Sequence, residues 1–158
     1  MPDLATHVLA VTPFLRKRVR RPELVLLGVL LPDLAGRMGI VLPDRPFFFW
    51  MDTALHTPFA VALIILGLAL LFPEDRRREA AASLAFGAAF HFALDLLQKT
   101  STFGTPWLFP FSLATFQIPL VWGDESFYVL PALILVNLVV FRRPLLAALR
   151  TAGRGRRA

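Results

Sequence analysis

The chain has 158 residues, 56% of them hydrophobic, with a mean hydropathy of +0.63, no cysteine and a formal net charge of +6. Its length fits one domain, and the lack of cysteine excludes a disulfide framework and a thiolate zinc site. The apolar content exceeds the roughly 45–50% of ordinary soluble domains, and the basic residues fall between apolar runs rather than over one face, which argues against nucleic acid as a partner.

In chain order, residues 3–15 predict a short N-terminal helix, too short to span a bilayer. The start of the chain has an acidic residue and no basic n-region, so it does not read as a cleavable signal peptide. Apolar runs follow at 24–42, 53–72, 79–97 and 127–141. Each approaches the roughly 17–25 residues that cross a bilayer, the last with help from its flanks. The predicted fold is an all-α integral membrane helical bundle of about five helices: four near-spanning segments and the short N-terminal helix. Residues 1–150 form a single membrane-embedded domain, and 151–158 form a basic disordered tail.

Charge predicts the orientation. RKRVRR (16–21), RRR (76–78), RR (142–143) and the tail from Arg150 hold fourteen of the seventeen Lys and Arg residues. With those groups in the cytoplasm the four runs alternate in direction, giving a multi-pass protein of the bacterial cytoplasmic membrane with a cytoplasmic C-terminus. Loops 43–52 and 98–126 then face outward. Both are rich in aromatic residues and proline, as in PDRPFFFW (43–50) and TPWLFPFSLATFQIPLVW (105–122). The second is long enough to act as a lid or binding surface.

Against this apolar background, five polar residues stand out: His7, Asp33, His56, His91 and Asp95. His91 and Asp95 are four apart, hence on one helix face. The topology brings all five to one layer. Each has a plainer reading: His7 on an interfacial helix, Asp33 in the first turn of a helix resumed after Pro32, His56 bonded to a carbonyl, and His91 with Asp95 as a hydrogen-bonded pair between helices. Asp52 reads as an N-cap. Together, three imidazoles and two carboxylates make an oxygen and nitrogen shell suited to Zn²⁺ or a similar divalent ion, which would neutralise the buried carboxylates.

THVLA (6–10), LLPDL (30–34), DTALHTP (52–58), AFHFALDLL (89–97) and FGTPWLFPFS (103–112) occur in an order that resembles the bacterial membrane-bound metal-dependent hydrolase family. Its members are similar to a reduced, membrane-embedded zinc-dependent phospholipase C. The resemblance covers residues 2 to about 112. It implies an all-α bundle with metal ligands His7, His56, His91 and Asp95. Asp33 would be a further ligand or the base that orients water, and Asp95 the position that bridges two metals. Two departures stand out. The Arg of the family's HRxxTHS motif is missing before His56 unless Arg37 or Arg45 replaces it, and no histidine follows His91, which limits the site to one or two ions.

The expected function is a metal-dependent hydrolase acting on a phosphoester or other ester of a lipid or lipid-linked substrate, through water made acidic by the ion. Membrane lipids are the expected partners. The alternative is a non-enzymatic membrane scaffold or partner-binding protein whose His/Asp cluster is structural. A transporter fits poorly, because the segments do not form repeated halves.

Overall fold

Helix dominates the computed structural model, which describes residues 4–37, 53–99, 104–118, 120–122 and 126–155. Its helices are α1 (Leu4–Arg18), α2 (Pro22–Arg37), α3 (Pro58–Ala69), α4 (Glu74–Leu96) and α5 (Ser126–Gly155), with one helical turn at 53–55. Local chemistry sets several of the starts. Pro22 opens α2 and Glu23 follows in its first turn; Glu74 and Asp75 open α4. Carboxylates there face the positive end of the helix dipole. Thr57 caps α3: its Oγ1 accepts from the Ala60 amide at 3.3 Å and its hydroxyl donates to Ala54 O at 2.8 Å, with Pro58 in the first helical position.

The most extensive helix contact is between α2 and α4, and two glycines make it possible. A Cβ on Gly28 would sit 2.2 Å from the carbonyl oxygen of Leu84, and one on Gly87 would sit 2.1 Å from that of Val25. Backbone therefore lies directly on backbone at this crossing. Around it Leu31, Leu84, Ala88 and Phe92 pack with Val61 and Ile65 of α3, while Val11 of α1 meets Val25 and Val29 of α2.

Helix α1 is held between α2 and α5. Pro13 lies inside α1 and has no amide hydrogen, so the carbonyl of Leu9 lacks its normal helical donor. Asn137 of α5 supplies one: its Nδ2 donates to Leu9 O at 2.9 Å and to Leu133 O at 2.9 Å.

The chain after α4 folds back on that helix. A two-residue strand, β1 (Gln98–Lys99), pairs in parallel with β2 (Val121–Trp122). The amides of Ile118 and Leu120 donate to the carbonyls of Leu96 and Leu97 at 2.8 and 3.2 Å, satisfying groups that a helix end leaves open. The Trp107 indole donates to Phe116 O at 2.6 Å, bracing the intervening segment.

The all-helical expectation holds, but the membrane-spanning bundle does not. Among the described residues no helix is long and apolar enough to cross a membrane. The runs 79–97 and 127–141 lie within the unbroken α4 and α5 up to Leu96 and Gly155, but another run is interrupted. The run 53–72 bends at His56 and Thr57, leaving 12 residues of α3. At 1.5 Å per residue this is about 18 Å, against a hydrocarbon core of about 30 Å. Helix α2 has 16 residues and buries Asp33, α4 opens with EDRRRE, and α5 carries Arg142, Arg143 and Arg150. The alternating in-and-out topology built on those runs falls with them. Helix α5 continues to Gly155, into the stretch whose composition predicts disorder; residues 156–158, like the loop 43–50, lie outside the described residues.

Candidate metal centre

The five polar residues come from four separate places and meet in one cluster. His7 is on the first turn of α1, Asp33 follows Pro32 inside α2, His56 occupies the bend before α3, and His91 and Asp95 lie one turn apart near the end of α4. His7 and His91 are 0% exposed, Asp33 is 1% exposed, and His56 is buried. The tight α2–α4 crossing and the Thr57 cap bring Asp33, His91 and His56 together. Asn137 does the same for the helix that carries His7.

Asp95 is the centre of the arrangement. Its Oδ1 is 3.3 Å from His7 Nε2, and its Oδ2 is 2.8 Å from His56 Nε2 and 3.1 Å from His91 Nε2. Asp33 faces the same rings from α2, with Oδ1 at 3.8 Å from His56 Nδ1 and 4.0 Å from His91 Nε2. The His7 and His91 rings stack, with centroids 4.0 Å apart and planes 13° from parallel.

Among the described residues two overlapping triads could hold a metal: His7, His91 and Asp95; and Asp33, His56 and His91. In each, one ligand atom per residue lies within 4.8 Å of the others. Bonds of 2.0–2.2 Å to a tetrahedral ion put ligand atoms about 3.3–3.6 Å apart. The observed separations bracket that edge length, so the donor set fits a divalent ion after small side-chain movements. Nδ1 of His91 is buried and makes no hydrogen bond in the structure, leaving polar capacity that an ion and its bound groups would use.

The electrostatics show strong coupling. Burial works to raise the Asp95 carboxyl, but hydrogen bonds from His56, His7 and His91, with the field of His91, outweigh it. The carboxyl is held well below the usual carboxylate range. Burial likewise works to lower His56, yet the bond and charge of Asp95, the charge of Asp33 and the Pro32 carbonyl raise it above its ordinary 6.5. At the His56 ring an ion and a proton compete for the same nitrogen, while Asp95 offers its carboxylate.

Residues 4–154, nearly the whole chain, match the model of the YdjM inner membrane protein family. The chain belongs to that family. Membership identifies it as a bacterial inner-membrane protein, in agreement with the inner-membrane part of the expected localisation but not with its multi-pass part. The YdjM description names no activity, so the likeness to hydrolases and to phospholipase C rests on the five sequence motifs alone. No curated protein and no solved structure matches the chain.

Sequence reasoning misses two supports of the His/Asp cluster. Asn137 is a lone polar residue inside VLPALILVNLVVF, a signal of the same kind as His91 and Asp95. Thr57 and Pro58 together carry the N-cap and first-turn signals, whereas the sequence pattern favours Asp52 as the cap. Asp52 and Arg45 lie outside the described residues, as does the side chain of Arg37.

Proposed function

We propose that this YdjM-family chain is a metal-dependent hydrolase of the inner membrane, acting on an ester, foremost a phosphoester, of a lipid or lipid-linked substrate. The observation that carries the reading is one carboxylate, Asp95, facing three imidazoles from three different elements, with a second carboxylate across from it. A hydrogen-bonded core network could be built from far fewer ionisable groups; this donor set is what a zinc-like ion selects. The number of ions is one or two, the second favoured by the two triads sharing His91.

A bound divalent ion would supply Lewis acidity and lower the pKa of water. The roles of the chain follow from where its groups sit. His7, His56, His91 and Asp95 hold the ion. Asp33 reaches the cluster from α2 at the longest distances, which suits either a ligand or the group that takes a proton from the attacking water. His56 and Asp95, with side chains 10% and 11% exposed, mark the open side of the cluster. The lipid character of the substrate is supported by the inner-membrane family and by exposed apolar rows on α3 (Leu63, Leu66, Leu70) and α5 (Ile134, Leu135, Leu138).

The test is the metal content of the purified chain beside that of a His91→Ala/Asp95→Ala variant, followed by hydrolysis of a panel of phosphoester and lipid substrates with added Zn²⁺. Stoichiometric metal lost in the variant, with turnover lost alongside, supports the reading. Metal without turnover on any substrate makes the cluster a structural staple. Equal metal in both proteins removes the site.

A further inference from the structure

Beside the cluster, α3 and α4 together line a groove of about 720 Å³, within the usual range for a small-molecule site. Its walls are apolar: Ile65 and Leu66 on α3, Ala85, Ala89 and Phe92 on α4, and Trp107 from the braced segment beyond α4. Alanines line it along α4, so the depression is long. From Ala81 to Leu96 the lining residues of α4 extend about 22 Å at 1.5 Å per residue. The acyl region of one leaflet is about 15 Å deep, half the hydrocarbon core.

The groove runs into the cluster. Phe92 packs edge-on against His56 at 5.7 Å and His91 at 5.6 Å between ring centroids, and against Trp107 at 5.8 Å. Pro58, next to the Thr57 cap, and Leu96, next to Asp95, line the same end. One side of Phe92 therefore faces the ligands and the other faces the groove. Small side chains also let a helix approach closely, so what favours an alkyl chain here is the family's place at the inner membrane and the end of the groove against the cluster.

We propose that this groove binds one hydrocarbon chain of a membrane lipid, lying along α4 with its polar head at the His/Asp cluster. Chain binding rests on the groove itself and on the family's place at the inner membrane. The position of the head rests on the hydrolase reading above. Specificity then divides in two: the groove measures the chain, and the cluster acts on the ester beside it.

The full chain is reconstituted in vesicles of phosphatidylethanolamine and phosphatidylglycerol containing a trace of phosphatidylglycerol with a diazirine on one acyl chain. After irradiation, adducts are mapped by mass spectrometry. Leu66, Phe92 and Trp107 should label well above Leu63 and Leu71, which are 54% and 79% exposed but lie outside the groove. Ala85→Trp, at an exposed position, puts an indole in the trough. It should lower labelling at Phe92 and Trp107 by about tenfold or more, since the chain loses several methylenes of burial. Labelling at Leu63 and Leu71, helical content and metal content should stay unchanged.

Equal labelling on every exposed apolar residue would make the groove ordinary lipid-facing surface and overturn the proposal. So would labelling of Leu63 and Leu71 with none in the groove, because a second copy or another protein would then cover it. Labelling needs neither metal nor turnover. Selective groove labelling in a metal-free, inactive chain sinks the hydrolase reading and leaves chain binding intact; uniform labelling in an active, metal-loaded chain does the reverse.

Discussion

Replacing Gly87 by alanine tests whether the α2–α4 crossing holds the cluster together. The new Cβ would lie 2.1 Å from Val25 O, 2.7 Å from Val29 N and 3.0 Å from Gly28 C, all of them backbone atoms. Against an ordinary contact of 3.4 Å, the closest approach is short by about 1.3 Å. No side chain can swing aside, so α2 itself must retreat. Overpacking costs about 1–3 kcal/mol, with backbone walls towards the upper end, and better helix propensity returns about 1 kcal/mol. The net loss is about 2 kcal/mol, or about 4–8 °C in Tm for a chain of this size. Gly67 on α3 is the control, with nothing within 4 Å of the place a Cβ would take. There the propensity gain stands alone, and Gly67→Ala should raise Tm by about 2–4 °C. Thermal unfolding in detergent micelles, followed by helical circular dichroism, reads both signs. Retreat of α2 also widens the 4.0 Å gap between Asp33 and His91, so zinc content should fall in Gly87→Ala and not in Gly67→Ala. A Gly87→Ala protein as stable and as metal-rich as the parent would refute the crossing as the brace of the site.

Asp33→Asn should keep most of the metal yet lose about 10²–10⁴-fold in turnover if Asp33 is the base, whereas His91→Ala should lose metal and turnover together; equal turnover in Asp33→Asn takes Asp33 out of the chemistry. In the metal-free protein, the depressed Asp95 stabilises the fold above its unfolded value of 3.8 and stops doing so as pH falls. The raised His56 stabilises it fully below 6.5 and stops doing so as pH rises through its folded value, so denaturant unfolding should show this pair's contribution greatest between those limits. Zinc-loaded protein should instead gain stability with rising pH, because the ion competes with the His56 proton; parallel slopes with and without zinc would move the ion elsewhere. Asn137→Leu should cost about 1–3 kcal/mol by leaving Leu9 O without a donor, and Pro13→Ala should recover part of that by restoring the helical amide; additive effects in the double mutant would show that the two do not share this carbonyl.

The candidate site was more legible in the sequence than the fold. Histidine and aspartate are costly in apolar surroundings, so His91 and Asp95 announce themselves in AFHFALDLL, and the other three needed only an element order that brought them together. Helix was legible too, from the long runs of Leu, Ala, Val and Phe. The break in the run 53–72 was not, because hydropathy sums over a bend such as His56–Thr57 without registering it. The same blindness made α3 and its flank one spanning segment. Gly28 and Gly87 look like ordinary helix glycines in one dimension; only the distance to the facing carbonyls reveals their purpose. The groove is invisible for a similar reason: its alanines read as propensity until α3 and Trp107 are seen to line it with them.

The return of the chain onto the end of α4 ties two motions into one. The amides of Ile118 and Leu120 cap the carbonyls of Leu96 and Leu97, directly after the turn that carries Asp95, and Trp107 belongs to the stretch those bonds close. Lifting that stretch away uncaps the turn and frees Asp95 to drift from the imidazoles. By linkage, whatever tightens the grip on Asp95 also favours the closed stretch, and whatever holds Trp107 down steadies Asp95 by the same free energy. A molecule lodged beneath Trp107 and an ion held by Asp95 would thus report on each other without touching, and each would be released more readily once the other had gone.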